Sequence, residues 1–132
     1  MLLGSGTANG QDWSVTAYEG PWGTCVTAAG GPDDYSTACR NTARMTALTV
    51  FGFGDFGNGM PYDVNGFAPP AATRLAVSLT DGSSFQVAVV TVGNEKLWAF
   101  ALGKGQAVKS WTAYNASGKP LGTGACSSCQ DG

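Results

Sequence analysis

The sequence predicts an all-β fold, and three observations carry that prediction. Apolar residues alternate with polar ones at a period of two, and no stretch has the spacing of an amphipathic helix. Short apolar runs are separated by turn residues at intervals of about 8 to 12 residues. The chain holds 20 Gly and 6 Pro among 132 residues, a composition that favours short strands and tight turns. We therefore predict one antiparallel β-sandwich, immunoglobulin-like or similar, of roughly seven to nine strands.

Residues 73–102 form the predicted centre of the sheet, a meander of three strands. In the first two strands every second residue is apolar: Leu75, Val77 and Leu79, then Phe85, Val87 and Val89. Asp81-Gly82 and Gly93-Asn94 separate the strands, because these residues adopt the positive φ angles of a hairpin turn at little steric cost. The third strand, 97–102, is apolar on both faces. We interpret the meander as the core sheet of the domain.

The rest of the chain supplies flanking strands and one long loop. We expect residues 1–10 to be a flexible lead-in, 11–124 to form the sandwich and 125–132 to be a cysteine-containing tail. Residues 54–72 contain Gly and Pro at many positions, so they are predicted to be a long loop, which in a compact domain is often functional. Alternating apolar residues predict further strands at 11–19, 22–29, 44–53, 107–115 and 119–123.

Composition and charge exclude several classes of function. The net charge is −2 and the seven basic residues are scattered, whereas nucleic-acid binding needs clustered Lys and Arg. No run of about 20 apolar residues is present, so we expect no direct membrane insertion of this segment. No signal peptide is visible after Met1. The expectation is that a signal or anchor lies outside this sequence, as in a secreted or membrane-anchored protein.

The absence of histidine removes most catalytic arrangements. Without it there is no Ser-His-Asp or Cys-His nucleophile system and no imidazole base, so we predict that the domain is not an enzyme and needs no cofactor. An enzyme built on Asp55 and Asp63 stays open if the two carboxylates face each other. Four aspartates lie on predicted loops, where carboxylates could suit calcium: Asp33, Asp34, Asp55 and Asp63. No calcium-site spacing is present among them, so no metal site is predicted. Residues 52–57 match G-x-G-x-x-G, but Asn58-Gly59-Met60-Pro61 cannot begin the required helix.

Four cysteines allow three pairings. We favour Cys25 with Cys39, which would close a loop of about 15 residues and add roughly 3 kcal/mol of stability. Cys126 and Cys129 would then pair locally or stay free. A four-thiolate zinc site and a redox CxxC are the alternatives. The zinc site lacks a second closely spaced cysteine pair, and no helical pattern follows the CxxC.

The predicted loop carries the candidate binding residues. Large apolar side chains alternate there with glycine and aspartate: Phe53, Asp55, Phe56, Met60, Tyr62 and Phe67. If exposed, they would form an apolar contact surface; if folded inward, they would cap one end of the sandwich. The four tryptophans, at 13, 22, 98 and 111, lie in predicted strands. Core packing is expected for them, with stacking on sugars as the alternative if they face solvent.

The chain resembles an extracytoplasmic β domain of secreted or membrane-anchored actinobacterial proteins. Strand and turn segments carry the resemblance: Arg74–Leu79, Asp81-Gly82, Leu97–Leu102, Gly23–Val26, Cys39 and Thr112–Gly122. The last of these segments is close to an AYDAxGxxLG ending, with Asn115 in place of Asp. The resemblance implies the location and fold and supplies no catalytic residue. We therefore expect a non-enzymatic binding or sensory domain that engages a protein or small ligand through its loops. A carbohydrate-binding module that recognises a cell-surface glycan through Trp or Tyr is the alternative.

Overall fold

The structure, a computed structural model, describes residues 1–21, 23–30, 34–40, 50–54, 62–126 and 129. Within these ranges the regular structure is entirely β, and every strand pair is antiparallel, which confirms the predicted fold class. The twelve strands of these ranges exceed the seven to nine anticipated. They are β1 Leu2–Ala8, β2 Gln11–Gly20, β3 Gly23–Gly30, β4 Asp34–Arg40, β5 Val50–Gly54, β6 Tyr62–Ala68, β7 Arg74–Leu79, β8 Ser84–Ala88, β9 Val90–Val92, β10 Glu95–Leu102, β11 Val108–Tyr114 and β12 Pro120–Gly124.

The strands form three sheets of four. The N-terminal sheet has the order β1-β2-β3-β4, the central sheet β5-β6-β10-β9 and the C-terminal sheet β12-β11-β7-β8. The chain passes from the C-terminal sheet to the central sheet at Val89, whose N–H donates to the Thr73 carbonyl at 3.1 Å. The predicted meander therefore exists as three strands and a short fourth, but its strands are divided between two sheets.

The central sheet lies between the other two, because its middle strands are buried on both faces. In β10, Trp98, Phe100 and Leu102 pack toward the C-terminal sheet. Leu97 and Ala99, which alternate with them, pack toward the N-terminal sheet. The apolar pattern on both faces of 97–102 reflects this position, which a strand in a two-layer sandwich does not require.

Aromatic rings fill the space between the central and C-terminal sheets. Trp98 stacks on Phe100 with ring centroids 5.6 Å apart and lies 5.0 Å from Trp111. The Trp98 indole N–H donates to the Phe67 carbonyl at 2.9 Å. Both tryptophans are buried, which confirms the core assignment for these two. Gly124 lies directly against the Trp111 indole, where any side chain would overlap the ring.

The expectation of a flexible lead-in at residues 1–10 is wrong. Most of this segment is β1, which pairs with β2 and buries Leu3 against the central sheet. Asn9 and Gly10 link the two strands with φ angles of 53° and 74°, the geometry that Asn-Gly hairpin turns favour. The Met1 ammonium extends the pairing by donating to the Ala17 carbonyl at 2.7 Å.

The predicted loop at 54–72 is wrong over residues 62–68, which form β6. Every residue of β6 is buried, and the strand pairs with both β5 and β10. Its polar residues Asp63 and Asn65 obscured the strand pattern in the sequence. The predicted strand at 44–53 overlaps β5, and its residues 44–49 lie outside the described ranges.

Both predicted turns of the meander are present. Gly82 and Gly93 have φ angles of 90° and 60°. The Asp81 carboxylate accepts hydrogen bonds from the Ser83 hydroxyl and backbone N–H. These bonds favour the charged carboxylate and hold the pKa of Asp81 below its usual value.

The four cysteines form two disulfides. Cys25 and Cys39 face each other across β3 and β4, and Cys126 pairs with Cys129. This confirms the favoured pairing and excludes a zinc site built on the four thiolates. Disulfides are typical of oxidising, extracytoplasmic compartments. No helix in the described part of the chain is long and apolar enough to cross a membrane.

Candidate functional site: a groove at three sheet edges

An open groove of about 500 Å³ lies where the three sheets meet. The N-terminal sheet forms one side of this groove and the C-terminal sheet forms the other, with part of β10 between them. Its lining consists of residues 3–8 of β1, residues 85–88 of β8, residues 99–101 of β10, Trp13 and Gln106. The groove is therefore built from strands and not from the predicted loop.

Each sheet turns an edge toward this groove. β1 is an edge strand of the N-terminal sheet, and β8 is an edge strand of the C-terminal sheet. In the central sheet, β9 pairs only with Glu95, Lys96 and Leu97 of β10. Beyond Leu97 the β9 side of β10 faces the groove. Edge strands present backbone N–H and C=O groups that can pair with another strand.

The backbone direction of β10 can be read from its contact with β1. A Cβ placed on Gly4 would lie 3.0 Å from the Ala99 carbonyl oxygen, so this carbonyl points toward β1 and away from β6. In an antiparallel strand the N–H and C=O of one residue point to the same side, and alternate residues repeat that direction. Ala99 and Ala101 therefore direct their backbone groups to the same side of β10. Gly4 of β1 already lies against the Ala99 carbonyl and Ala99 is only 3% exposed, whereas the half-buried Ala101 faces the groove.

The walls of the groove are mostly small or apolar. Gly4 and Gly6 lie against the half-buried Trp13 indole, and a Cβ on either glycine would approach that ring within 3.1 to 3.2 Å. On the facing wall Gln86 and Ala88 of β8 are exposed. Ala101, in the central strand, is half-buried. Because Gly6, Ala88 and Ala101 are small, another backbone can approach the edge of β10 at Ala101.

Side-chain hydrogen bonds hold the turn next to the groove in place. The Asn9 side-chain oxygen accepts from the Lys104 N–H at 2.8 Å, which ties the β1–β2 turn to the β10–β11 turn. The Gln106 side-chain oxygen accepts from the Gly103 N–H at 2.6 Å. These bonds satisfy backbone donors that no strand partner reaches and fix the position of the groove wall.

A buried polar pair lies beside the groove on the central sheet. Asp63 is the register partner of Ala101, and Asn65 is the partner of Ala99. Directly opposed residues share a face of the sheet, so both polar side chains lie on the face that carries the two alanines. The Asn65 amide donates to the Asp63 carboxylate at 3.2 Å.

This polar pair is poorly satisfied. Asp63 is 8% exposed and Asn65 is 4% exposed. Desolvation raises the pKa of Asp63 from 3.8 to about 6, opposed by the hydrogen bond from Asn65. Within the described part of the chain the Asn65 side-chain oxygen is buried without a hydrogen-bond partner. Buried groups of this kind call for a specific explanation in a native protein.

The structure separates the binding residues predicted from sequence. Tyr62 and Phe67 lie in β6 and are buried at 7% and 3% exposure, so these two fold inward and contribute to no surface. Phe53 lies in β5. Asp55, Phe56 and Met60 lie outside the described residues. Tyr62 and Phe67 therefore do not belong to an exposed apolar patch.

The structure bears on three alternative hypotheses: an enzyme built on Asp55 and Asp63, sugar binding by exposed aromatic residues, and a metal site. Asp63 lies on a buried strand and not on a loop, and its proposed partner Asp55 is outside the described ranges. The large aromatic residues exposed in the described part are Tyr18 and Tyr35, both on the N-terminal sheet. No group of three Cys, Asp or Glu side chains among the described residues is placed to hold a metal ion.

Comparison of the chain with protein-family models, with curated proteins and with solved structures gives no match.

The three-edge groove was not predicted from sequence because it depends on which strands become edges. The Asn9-Gly10 dipeptide was the available signal for β1, and β1 forms one wall of the groove.

Proposed function

We propose that this chain is a non-enzymatic, extracytoplasmic binding domain that captures an extended segment of another protein by strand pairing in the groove. The observation that carries the proposal is the meeting of three sheet edges at one groove. A strand added beside β10 would use the backbone groups of Ala101, because Gly4 of β1 already covers the Ala99 carbonyl. Such addition gives affinity through main-chain hydrogen bonds and specificity through alternate side chains.

The edges at the groove lack the features that usually prevent strand addition. Natural edge strands are commonly protected by Lys, Pro, bulges or inward charges. β1 (LLGSGTA) and β8 (SFQVA) contain no charged residue and no proline, although β1 has an irregularity between Leu2 and Gly4. At the opposite edge of the C-terminal sheet, β12 begins with Pro120 directly after Lys119. This difference favours the groove as the binding edge.

The two disulfides support the extracytoplasmic part of the proposal. Secretion or membrane anchoring is proposed from the resemblance of the strand and turn segments to actinobacterial extracytoplasmic domains. In that setting, the segment captured would belong to another exported protein or to a cell-surface protein.

A library of displayed ten-residue linear peptides, selected against the disulfide-bonded domain, tests the proposal. We expect binders whose affinity falls at least about tenfold with Ala88→Trp, which fills the groove from an exposed position of β8. Thr123→Trp is the matched control, because Thr123 is exposed on β12 at the other edge of the same sheet. In the complex, the Ala101 amide should gain protection from hydrogen exchange.

Two outcomes would count against this proposal. The first is that no peptide is selected above background. The second is that selected peptides lose the same affinity with Thr123→Trp as with Ala88→Trp. In either case strand addition at the groove is wrong.

A carbohydrate-binding module is the second candidate, favoured by the outer face of the N-terminal sheet. Tyr35 and Tyr18 are 75% and 49% exposed there, and the Thr27 and Thr37 hydroxyls share a hydrogen bond of 2.8 Å on the same sheet. Aromatic rings stack on sugars and hydroxyls orient them. Tyr35→Ala should weaken binding on a glycan array at least about tenfold, whereas Ala88→Trp should leave it unchanged. Absence of binding to any glycan by the unmodified domain would remove this candidate.

A further inference from the structure

We propose that Asp63 and Asn65 form a cation subsite that holds the ammonium or guanidinium group of a Lys or Arg side chain. The proposal rests on the proposed function, because the side chain would belong to the segment bound in the groove. It specifies the class of partner: an extended segment that carries a basic residue.

The first observation is an unmet need for hydrogen-bond donors. Among the described residues Asp63 accepts one hydrogen bond from another side chain, at 3.2 Å from Asn65, besides one from its own backbone N–H, and no cation pairs with it. Lys96 donates to the Thr91 hydroxyl instead, and Arg74 lies over the Tyr114 ring. The Asn65 oxygen is also buried without a donor. Two neighbouring acceptors of this kind suit the several N–H donors of a guanidinium or ammonium group.

The second observation is the position of the pair relative to the groove. The register places Asp63 beside Ala101 and Asn65 beside Ala99, and both alanines line the groove. A strand added beside β10 would lie two strand spacings, about 10 Å, from β6. On this face β10 contributes the methyl groups of Ala99 and Ala101. Ala99 packs against the N-terminal sheet, so the route from the groove to the pair passes the half-buried Ala101. An extended Arg or Lys side chain can cross that distance, whereas shorter side chains cannot.

On the β5 side of Asp63 and Asn65 the neighbouring residues in the sheet are small as well. Gly54 and Gly52 of β5 are the register partners of Asp63 and Asn65. Glycine contributes no side chain that could donate to the two acceptors or occupy the space beside them. The pair is thus flanked by alanine on the groove side and by glycine on the far side. Its raised pKa agrees with a carboxylate that lacks a cationic partner.

A small cation tests the subsite without any peptide. The probe is n-butylguanidinium chloride, and the neutral n-butylurea is its matched control. Titration of the intact, disulfide-bonded domain near pH 7 is followed by the carbon chemical shift of the Asp63 carboxyl group. We expect a saturable shift with the cation, no saturable shift with the urea, and a fall in the pKa of Asp63 with the cation bound.

Two variants complete this test. Asp63→Asn should remove the saturable binding of butylguanidinium, followed by the amide signal of Ala101, whereas Asp12→Asn, an exposed change in β2, should not. Equal responses to cation and urea, or unchanged cation binding in Asp63→Asn, would overturn the subsite.

The peptides selected on the groove provide the second arm. Replacing the basic residue by citrulline or norleucine should weaken binding by about tenfold in the unmodified domain and by much less in Asp63→Asn. Peptides that bind equally well without a basic residue overturn the subsite and leave the groove proposal intact. Butylguanidinium binding at Asp63 with no peptide ligand found overturns the proposed function and keeps the cation site.

Discussion

Trp98→Ala should lower the free energy of unfolding by about 4 kcal/mol, a cost typical of removing a fully buried tryptophan. Trp98 is fully buried, stacks on Phe100, contacts Trp111 and donates to the Phe67 carbonyl. The substitution would open a cavity between the central and C-terminal sheets and remove the indole hydrogen bond to that carbonyl. Urea unfolding followed by circular dichroism measures the loss.

Phenylalanine substitutions separate the hydrogen bond from the packing. Trp111 is as deeply buried as Trp98, yet its indole N–H has no acceptor in the described part of the chain. Trp98→Phe removes the hydrogen bond to the Phe67 carbonyl, whereas Trp111→Phe removes an indole N–H without an acceptor in the described part of the chain. We expect Trp98→Phe to be the more destabilising by about 1–2 kcal/mol. Equal losses would show that the bond to Phe67 adds nothing.

Asp63→Asn should raise the free energy of unfolding at pH 7.5 by up to about 3 kcal/mol, the free energy that corresponds to a pKa raised from 3.8 to about 6. The amide removes the buried charge. It also supplies N–H donors next to the Asn65 oxygen, which lacks one. If Asp63 serves a basic ligand, this residue is kept at the expense of stability, as binding residues often are.

The pH dependence has a definite sign. Because the folded pKa of Asp63 is higher than the unfolded one, the folded state binds more protons between about pH 4 and pH 6. The contribution of Asp63 to stability should therefore fall as pH rises through this window and stay constant above it. Asp63→Asn should remove that decline when unfolding is measured from pH 4 to pH 8.

Asp81→Asn is the matched control for the pH series. The Ser83 hydrogen bonds lower the pKa of Asp81, so its contribution is present at neutral pH and is lost as pH falls. The two substitutions should change the pH profile in opposite directions. A profile that Asp63→Asn leaves unchanged would contradict the raised pKa.

Local patterns predicted the parts of the fold that depend on local chemistry. Asp81-Gly82 and Gly93-Asn94 turn the chain as expected, and Cys25 pairs with Cys39 as favoured. Residues 97–102, apolar on both faces, form a strand buried on both faces. These signals come from residues next to one another or from chemistry that only cysteine offers.

The failures have a common cause in long-range packing. The sequence did not predict β6 as a strand, because Asp63 and Asn65 interrupt its apolar pattern and Gly and Pro lie nearby, as in a loop. Its burial depends on β10, which pairs with it across a long stretch of sequence. The groove depends on β9 ending its pairing at Leu97, and no local pattern encodes that.

The order of strands in the N-terminal sheet has a consequence for how the chain folds. That sheet follows the chain from β1 to β4, so all its pairings are short-range hairpins, whereas the other two sheets join distant segments. Low contact order favours rapid formation. We expect this four-stranded unit to assemble first during folding, with Leu3 and Val15 exposed until β10 covers them. During that interval the nascent domain is most prone to aggregate.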